Sequence, residues 1–518
     1  MNKIKSTKRA LIMSAAAVLM SISMLIGTTF AWFTDTASTG VNKIVSGNLD
    51  IELQYATAWN AETGAPTAWD KAEGKVLNFR TADNRTDNIL WEPGATYQLP
   101  ELRIVNNGNL ALKYKIAIAG AKDANPNNGV NDLMLLDVID WTYSVEGAGG
   151  EAAAELGMSD DQIVWKYKIP EGGETADAAE DLVGQGCNLI ISNSYGHQTY
   201  MEEEAEKYPD INFVAMTGDF AAISGLDNFY NAFTAVYQSR YVSGVVAGMK
   251  VKELVESGTL TPETQPDSFT ADGKVKIGYV GAYNYAEVVS GYTAFFLGVQ
   301  SVYPDVQMEV MYTNSWFDID KEGAAAEALI ANGAVIIGQH ADSTGAPAAT
   351  QKLKDAGKIC YSVGYNIDML STAPTAALTS ATNVWSVCYK ELIEGAQNGS
   401  IPQNWCKGYE DGAVAITDLG PEVADGTAEK VAEVEAALKD GSLHVFDTSK
   451  FTVDGKEVTS CPVDLTYYDF STGSPVAVYP GETKEAVSDG YFHEGELRAA
   501  PTFSLRIDGI IEDADPVA

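Results

Sequence analysis

Trp316 occupies a position in the sequence where an indole ring can bind a ligand rather than fill a core. It lies in the stretch VMYTNSWFDIDKEG, residues 310–323, where an apolar run ends and a helical pattern begins. Asn314 and Asp318 lie on either side of it and can exchange hydrogen bonds with a ligand. Ligands of open α/β sheets bind at the ends of strands. The stretch therefore predicts one wall of a ligand-binding crevice.

Three further clusters of polar and aromatic residues follow apolar runs in the same way. They lie in LIISNSYGHQ, VIIGQHADSTG and CYSVGYNIDM, which begin at residues 189, 335 and 360. Because the strand ends of successive βα units converge on one crevice, we expect the four clusters to face a common ligand. The candidate ligand-binding residues are Ser194, Tyr195, Asn314, Trp316, Asp318, His340, Asp342, Tyr365, Asn366 and Asp368.

The residue types of these clusters suit a flat ligand that forms hydrogen bonds. Tyr195, Trp316 and Tyr365 offer π faces, and the amide, carboxylate and imidazole groups near them offer donors and acceptors. A planar heterocycle that is held between rings and hydrogen-bonded along its edge satisfies both sets. The alternative is that βα turns are polar in any α/β protein and that each aromatic ring only packs locally.

The sequence offers little chemistry for catalysis or metal binding. The four histidines form neither an HxH nor an HExxH pattern, and no GxSxG elbow, Walker loop or GxGxxG turn occurs. The stretch DANPNNGVNDLM, residues 123–134, alternates Asp and Asn like a calcium loop but lacks the glycine and the final glutamate of such a loop. We therefore predict a protein that is not an enzyme, with no catalytic residue, metal or cofactor.

The elements that must position the clusters are short β-rich runs alternating with helical stretches. This alternation follows the Gly/Ala-rich joint EGAGGEAAAELG and continues through most of the remaining chain. Strand, helix and strand repeated with short links predict an α/β fold, with parallel sheets covered by helices on both faces. A chain of 518 residues suits two or three domains. We predict one of them over residues 151–518.

The first 150 residues have a different pattern. Residues 1–31 place basic residues ahead of a long apolar run, which is typical of an export signal peptide. The run is also about long enough to span a bilayer, so a retained membrane anchor is the alternative. Residues 32–150 contain alternating segments such as GNLDIELQY and the turn-forming pair Asn107 and Gly108, which predict an all-β sandwich domain.

Charge and cysteine content restrict the partners. The net charge of −37 repels phosphate backbones, so nucleic acid is not an expected partner. The five cysteines lack metal-ligand spacing, and their odd number argues against a complete disulfide framework. No cysteine lies near the N-terminal apolar run, so the sequence does not support a lipid anchor.

From about Ala153 onwards the sequence resembles the basic membrane protein family, the PnrA-like substrate-binding proteins of ABC transporters. The motifs that carry the resemblance are VWKYKIPEGG, YQSRYVSGVVAG, TNSWFD, QHADS, GYNIDM and DGYFHEGELRAAP, in this order. The resemblance implies a type I periplasmic-binding fold, in which two doubly wound lobes close on a small molecule, and an ABC permease as partner. It also implies that Tyr195 and Trp316 sandwich a purine.

One substitution within these motifs bears on the ligand. Nucleoside receptors of the family often carry an Asp that grips the ribose hydroxyls at the place where GYNIDM has Asn366. An amide is a weaker partner for a diol than a carboxylate. The resemblance therefore favours a free base such as adenine over a nucleoside.

The N-terminal half resembles the secreted matrix proteins of the camelysin and TasA type. This resemblance is carried by GTTFAWFTDTAS, GNLDIEL and LRIVNNGNLALKYKI. It implies export to the surface of a Gram-positive-type bacterium and matrix or cell-surface proteins as further partners. The binding-protein resemblance begins partway through a helix, so the family's first strand and its ligand motif are missing. The chain is then either a natural fusion or an artificial joining of two reading frames, and one lobe has an unpaired edge.

The sequence leaves three functions open. The first is an exported solute-binding protein for a purine base or nucleoside. The second is a structural protein of the cell surface or biofilm matrix, in which the binding domain is a passenger. The third, an extracellular hydrolase, requires a nucleophile or metal that the sequence does not supply.

Overall fold

The computed structural model describes residues 51–59, 66–72, 80–81, 97–98, 102–106, 148–159, 162–167, 169–469 and 476–513. The chain divides into two compact units, Met1–Thr142 and Tyr143–Ala518. The predicted signal peptide, the calcium-like stretch and the turn at Asn107 and Gly108 lie outside the described residues.

The described strands of the first unit are antiparallel. They are β1 (Ile51–Trp59), β2 (Pro66–Lys71), β3 (Arg80–Thr81), β4 (Tyr97–Gln98) and β5 (Leu102–Asn106). β1 lies in the centre of a three-stranded sheet between β2 and β5, and β3 pairs with β4. Leu53 of β1 lies opposite Ile104 of β5, which matches the apolar alternation of the sequence. The sandwich predicted for this unit remains a prediction.

The second unit alternates strands and helices. Its helices are α1 (Ala148–Glu155), α2 (Glu174–Gly184), α3 (Gln198–Lys207), α4 (Ala221–Ser224), α5 (Val236–Glu256), α6 (Ala286–Val302), α7 (Ile319–Ala331), α8 (Gly345–Asp355), α9 (Trp385–Asn398) and α10 (Thr427–Lys439). The strands that alternate with them are β6 (Leu189–Asn193), β7 (Asn212–Met216), β8 (Phe229–Thr234), β9 (Val275–Gly281), β10 (Val306–Tyr312), β11 (Ile336–Gln339), β12 (Tyr361–Tyr365), β13 (Ala377–Asn383), β14 (Asn404–Lys407) and β15 (Val414–Ile416).

The chain after α10 forms short strands. They are β16 (Thr452–Val453), β17 (Lys456–Glu457), β18 (Pro462–Asp464), β19 (Tyr467–Asp469), β20 (Val476–Tyr479), β21 (Thr483–Glu485), β22 (Val487–Ser488), β23 (Tyr491–Phe492) and β24 (Ile510–Asp513). Asp454 and Gly455 both have positive φ, 52° and 70°, and join β16 to β17 as the sequence predicts for a tight hairpin.

The strands of the second unit build two lobes. Lobe 1 contains a four-stranded parallel sheet in the order β14-β8-β7-β6, and lobe 2 contains a seven-stranded sheet in the order β15-β13-β12-β11-β9-β10-β24. The second sheet is parallel except where β15 runs against β13. Between the two sheets, the described chain crosses from β8 to α5, from β13 to α9 and from β14 to β15. The predicted two-lobed α/β fold is thereby confirmed.

The composition of the elements explains their packing. β7 and β9 are almost entirely buried, as expected for parallel strands covered on both faces. α5 and α6 approach so closely that a Cβ atom built on Gly244 would lie 2.1 Å from the carbonyl oxygen of Phe295. Glycine is therefore needed where these helices cross, and α5 is held firmly in lobe 2 directly after the first crossover.

The edge of lobe 1 lies at β6. Within the described chain β6 pairs with β7 alone, and residues 162–167 run beside no strand. Trp165 and Tyr167 in that stretch are 48% and 71% exposed. That the first strand of the lobe is missing stays a prediction. None of the described helices combines the length and apolar character needed to cross a membrane.

Candidate functional site

The four predicted clusters lie at the carboxyl ends of strands in both lobes. Tyr195 follows β6 of lobe 1, while Trp316, His340 and Tyr365 lie at the ends of β10, β11 and β12 of lobe 2. In lobe 2 the chain passes from β9 to β10 on one side and then to β11 on the other side of β9. This reversal of strand order is the place where open α/β sheets bind ligands.

A row of aromatic rings runs across the cleft between the lobes. The ring centre of Tyr195 lies 5.9 Å from that of Tyr285, which lies 6.0 Å from that of Trp316 at an interplanar angle of 90°. His340 continues the row, 6.1 Å from Trp316 and 5.3 Å from Tyr365. Tyr195 and Trp316, the predicted stacking pair, are thus connected through Tyr285. The row runs from Tyr195 in lobe 1 to Tyr365 at the end of β12 in lobe 2.

Arg240 lies beneath this row and supplies a buried positive charge. It is 1% exposed, its guanidinium lies 3.7 Å from the ring centre of Tyr365, and Nη1 donates to the Tyr279 hydroxyl at 2.7 Å and to the carbonyl oxygen of Gln339. Its Nε and Nη2 atoms are buried and have no hydrogen-bond partner within the described chain. A buried, incompletely bonded cation favours negative charge in its surroundings.

Two carboxyl groups near Arg240 have altered acidity. Burial raises the pKa of Asp342 to about 6 and that of Glu287 to about 7, and the charge of Arg240 limits both shifts. Glu287 accepts a hydrogen bond from the Tyr285 hydroxyl at 2.9 Å. Burial and Arg240 hold the pKa of His340 well below its ordinary value, so its imidazole is neutral. At neutral pH the cleft thus contains an ionised Asp342 beside a neutral imidazole.

A chain of hydrogen bonds ends at Asp342. Asn366 donates from Nδ2 to Oδ1 of Asp342 at 2.8 Å, and Asn383 donates from Nδ2 to Oδ1 of Asn366 at 2.8 Å. The hydroxyl of Thr234 donates to Oδ1 of Asn383. Asn366 engages Oδ1 of Asp342, so Oδ2 is the oxygen that a ligand can engage.

Four of the predicted residues have local structural roles. Asp318 caps α7 by accepting from the Lys321 amide at 3.0 Å, and Asp368 accepts from the Leu370 amide at 2.8 Å. The other two are Asn314, which has a positive φ of 51° and an exposed side chain, and Ser194, whose hydroxyl donates to Glu171. The structure thus gathers Tyr195, Trp316, His340, Asp342, Tyr365 and Asn366 around the cleft.

Several residues that were not among the candidates also line this cleft. Tyr283, Tyr285 and Glu287 follow β9, and the ring of Tyr283 lies 5.3 Å from that of Trp316. Their signal was available, because GAYNYAE follows the apolar run KVKIGYV as the other clusters follow theirs. Arg240 gave no such signal, since it lies within a helical stretch.

Lobe 1 contributes a second charged group to the cleft region. Asp219 follows β7, and its carboxylate lies 3.1 Å from Nη1 of Arg498. Gln198 at the start of α3 accepts from the Asp219 amide at 2.9 Å, which holds the loop after β7 in place. Within the described chain no group of three or more His, Cys, Asp or Glu side chains is arranged to hold a metal ion.

Comparison with known proteins places most of the second unit in one family. Residues 161–443, more than half of the chain, match the family described as ABC transporter substrate-binding protein PnrA-like. A purine-binding protein of Brucella abortus is 32% identical over 322 residues, which are 61% of this chain and 82% of that protein. A putative ABC transporter glucose-binding protein of Haloferax volcanii is 30% identical over 303 residues, 58% of this chain and 70% of that protein.

Among solved structures, an ABC transporter solute-binding protein of Conexibacter woesei aligns with a TM-score of 0.44 and 17% identity, over 57% of this chain and 90% of that chain. Members of the matched family bind small solutes for ABC permeases, are extracytoplasmic or surface-associated, and are not catalysts. The second unit of this chain, by its extended family match, belongs to the PnrA-like family of ABC transporter substrate-binding proteins.

Proposed function

We propose that this protein binds a purine base, adenine in the first instance, in the cleft between lobe 1 and lobe 2 and delivers it to an ABC permease. The observation that carries this proposal is the row of rings beside an ionised carboxylate. The rings of Tyr195, Tyr285 and Trp316 line one path across the cleft. Asp342 is next to Trp316, since its amide donates to the Trp316 carbonyl oxygen at 2.7 Å.

The aromatic row supports a flat ligand. Tyr195 belongs to lobe 1 and Trp316 to lobe 2, so a hinge movement that opens the lobes separates these rings. A base that enters between them gains stacking energy of about 1–3 kcal/mol per ring contact. Tyr285, which contacts both rings, has to move or to become part of the stack.

The polar edge of the cleft supports a free base over a nucleoside. The Asn366 side chain already donates to Asp342 and accepts from Asn383, which fixes its orientation. The acceptor that remains is Oδ2 of Asp342, and a free purine carries an imidazole N–H that a nucleoside lacks. A hydrogen bond to a carboxylate is stronger than one to a neutral acceptor.

The relatives support two different ligand classes. The Brucella abortus relative is named a purine-binding protein, and the Haloferax volcanii relative is named a putative glucose-binding protein. Sugars also contact aromatic rings and carboxylates, so D-glucose is the first competitor to test. The row of several rings favours the purine, because a fully aromatic ligand can use every face of it.

The domain organisation belongs to the same proposal. Residues 1–31 export the chain, residues 32–150 form a matrix-type domain of the camelysin and TasA type, and residues 151–518 form the binding domain. The protein then resides outside the cell or on the surface of a Gram-positive-type bacterium, where it also meets matrix or cell-surface proteins. If the cleft binds nothing, a structural surface role becomes the leading function.

Calorimetric titration of the full chain tests the ligand. Adenine, guanine, adenosine, inosine and D-glucose are titrated into the wild type, into Trp316→Ala and into the control Trp165→Ala, whose ring lies against Gly149 of α1. We expect adenine to bind with a Kd of about 1 μM or below, a loss of about tenfold in Trp316→Ala, and no change in Trp165→Ala.

Other results would each remove a part of the proposal. Tighter binding of adenosine than of adenine contradicts the free base. Binding of D-glucose in preference to every purine contradicts the purine class. A folded protein that binds none of the five has a cleft disabled by the missing first strand, and the structural role then takes precedence.

A further inference from the structure

The hydrogen bonds that lead from Thr234 to Asp342 can be donated in only one direction. An ionised carboxylate cannot donate, so Asn366 must turn its Nδ2 towards Asp342. Its Oδ1 then faces Asn383, which must present its own Nδ2 in turn. Oδ1 of Asn383 is left to accept from the hydroxyl of Thr234. An ionised Asp342 therefore fixes the orientation of both amides.

The far end of this chain lies at the hinge. Thr234 is the last residue of β8 in lobe 1, and Asn383 is the last residue of β13 in lobe 2. Each is followed directly by a crossover. The first is tied to the third by the Ala235 amide, which donates to the carbonyl oxygen of Lys407 at 2.7 Å, and the second by the Val384 amide, which donates to that of Ala413 at 2.8 Å. Crossover segments absorb the backbone change when two lobes close. The hydrogen bond from Thr234 to Asn383 therefore depends on the relative position of the lobes.

We infer that Thr234 and Asn383 are positioning residues that couple closure of the hinge to the ligand-accepting state of Asp342. Closure brings the Thr234 hydroxyl onto Asn383, which holds Asn366 in the orientation that donates to Asp342. This keeps Asp342 ionised with Oδ2 directed to the ligand. By linkage, a ligand that engages Asp342 favours the closed hinge to the same extent. The inference rests on the proposed function, in which Asp342 receives the ligand.

The environment of Asp342 makes this coupling measurable. The charged and titratable side chains that face it come from several elements, namely Arg240 on α5, Glu287 on α6, Glu322 on α7 and Tyr365 on β12. Burial raises the pKa of Asp342 to about 6, while Arg240 and the hydrogen bond from Asn366 lower it. Loss of that donation raises the pKa further, so the carboxylate is protonated, and loses its negative charge, at a higher pH.

Two variants interrupt these hydrogen bonds and leave the Asp342 and Asn366 side chains unchanged. Thr234→Val removes the hydroxyl donor at the hinge, and Asn383→Asp replaces the donor to Asn366 by an acceptor. The matched control is Asn398→Asp, which makes the same change at the exposed end of α9. The pKa of Asp342 is read from the ¹³C chemical shift of its carboxyl group in the free, full-length protein. Adenine affinity is measured by calorimetry at neutral pH and near the pKa of Asp342.

We expect the pKa of Asp342 to rise by about one unit in Asn383→Asp, by less in Thr234→Val, and not at all in Asn398→Asp. Adenine affinity near the pKa should fall by about threefold to tenfold in the two chain variants. A purely structural role would lower the melting temperature but leave the pKa of Asp342 unchanged. If Asn383→Asp does not fold, Thr234→Val still carries the test.

The outcomes separate this inference from the proposed function. An unchanged pKa of Asp342 in a folded Thr234→Val or Asn383→Asp variant overturns the inference, whatever the wild type binds. A raised pKa in a protein that binds no purine supports the coupling and contradicts the purine function. A raised pKa together with unchanged adenine affinity near that pKa overturns the inference, because the hinge then does not act on the ligand.

Discussion

Replacing Asp342 by asparagine is expected to stabilise the protein at neutral pH while weakening ligand binding. Burial raises the pKa of this carboxyl from 3.8 to about 6. Roughly two pKa units at about 1.4 kcal/mol each correspond to about 3 kcal/mol that the folded protein loses by keeping the group ionised. The amide of Asp342→Asn carries no charge, and its oxygen can still accept from Asn366.

The sign of the effect depends on pH. Below the unfolded pKa of 3.8 the carboxyl is protonated in both the folded and unfolded states, and burial causes no loss of stability through ionisation. The loss grows as the pH rises from the unfolded pKa of 3.8 to the folded pKa of about 6 and is complete above it. Asp342→Asn should therefore raise the free energy of unfolding by about 1–3 kcal/mol at about pH 7.5 and leave it unchanged below about pH 4.

Binding should change in the opposite direction. A hydrogen bond to a charged acceptor contributes about 1–1.5 kcal/mol more than one to a neutral acceptor, which corresponds to about a tenfold weaker Kd for adenine. Urea denaturation at the two pH values and calorimetric titration at neutral pH measure both quantities. An Asp342→Asn protein that is less stable than the wild type at neutral pH, or that binds adenine equally well, would refute this reasoning.

Three further substitutions probe the aromatic row, the core and the buried charge. Trp316→Phe keeps a ring and should lose less adenine affinity, by calorimetry, than the tenfold expected for the alanine variant. Gly298→Ala places a Cβ 2.1 Å from a carbonyl oxygen of α5 and should lower the free energy of unfolding by about 1–3 kcal/mol in denaturation, whereas Gly184→Ala, with nothing within 4 Å, should not. Arg240→Met removes the charge that lowers the pKa of Glu287, so this pKa should rise above about 7 by NMR titration.

The sequence predicted the part of the cleft that follows from strand ends. Apolar runs that stop at polar and aromatic residues identified the positions of Tyr195, Trp316, Asp342 and Tyr365, and the structure has these residues at strand ends around one cleft. The reason is geometric, because all parallel strands of a sheet end on the same side. Tyr285 follows the same rule after β9, and inspection of that strand end would have identified it.

The sequence could not distinguish residues that face the ligand from residues that cap a helix. Asp318 and Asp342 both follow strands, yet Asp318 caps α7 while Asp342 lies buried near Arg240. Arg240 itself lies in the first turns of α5, a helix that is buried over most of its length, and its neighbours in the sequence do not mark it as a cleft residue. Its role depends on the packing of α5 beneath β11 and β12, which is tertiary information. The hinge position of Asn383 likewise depends on which lobe each strand joins.

The order of the strands in the sheets could not be predicted from the sequence either. Alternating strands and helices predict parallel sheets, but not that β24, near the end of the described chain, returns to the edge of lobe 2 beside β10. The antiparallel β15 at the opposite edge has no sequence signal of its own either. Both placements follow from which sheet edge is free when the chain arrives.

The most direct test of the account is a crystal structure of the full chain with adenine. We predict an adenine ring between Tyr195 and Trp316, with one of its N–H groups within hydrogen-bond distance of Oδ2 of Asp342. The Thr234 hydroxyl should remain bonded to Asn383 in that complex. Adenine bound outside the cleft between the lobes, or bound there without contact to Asp342, would contradict the account.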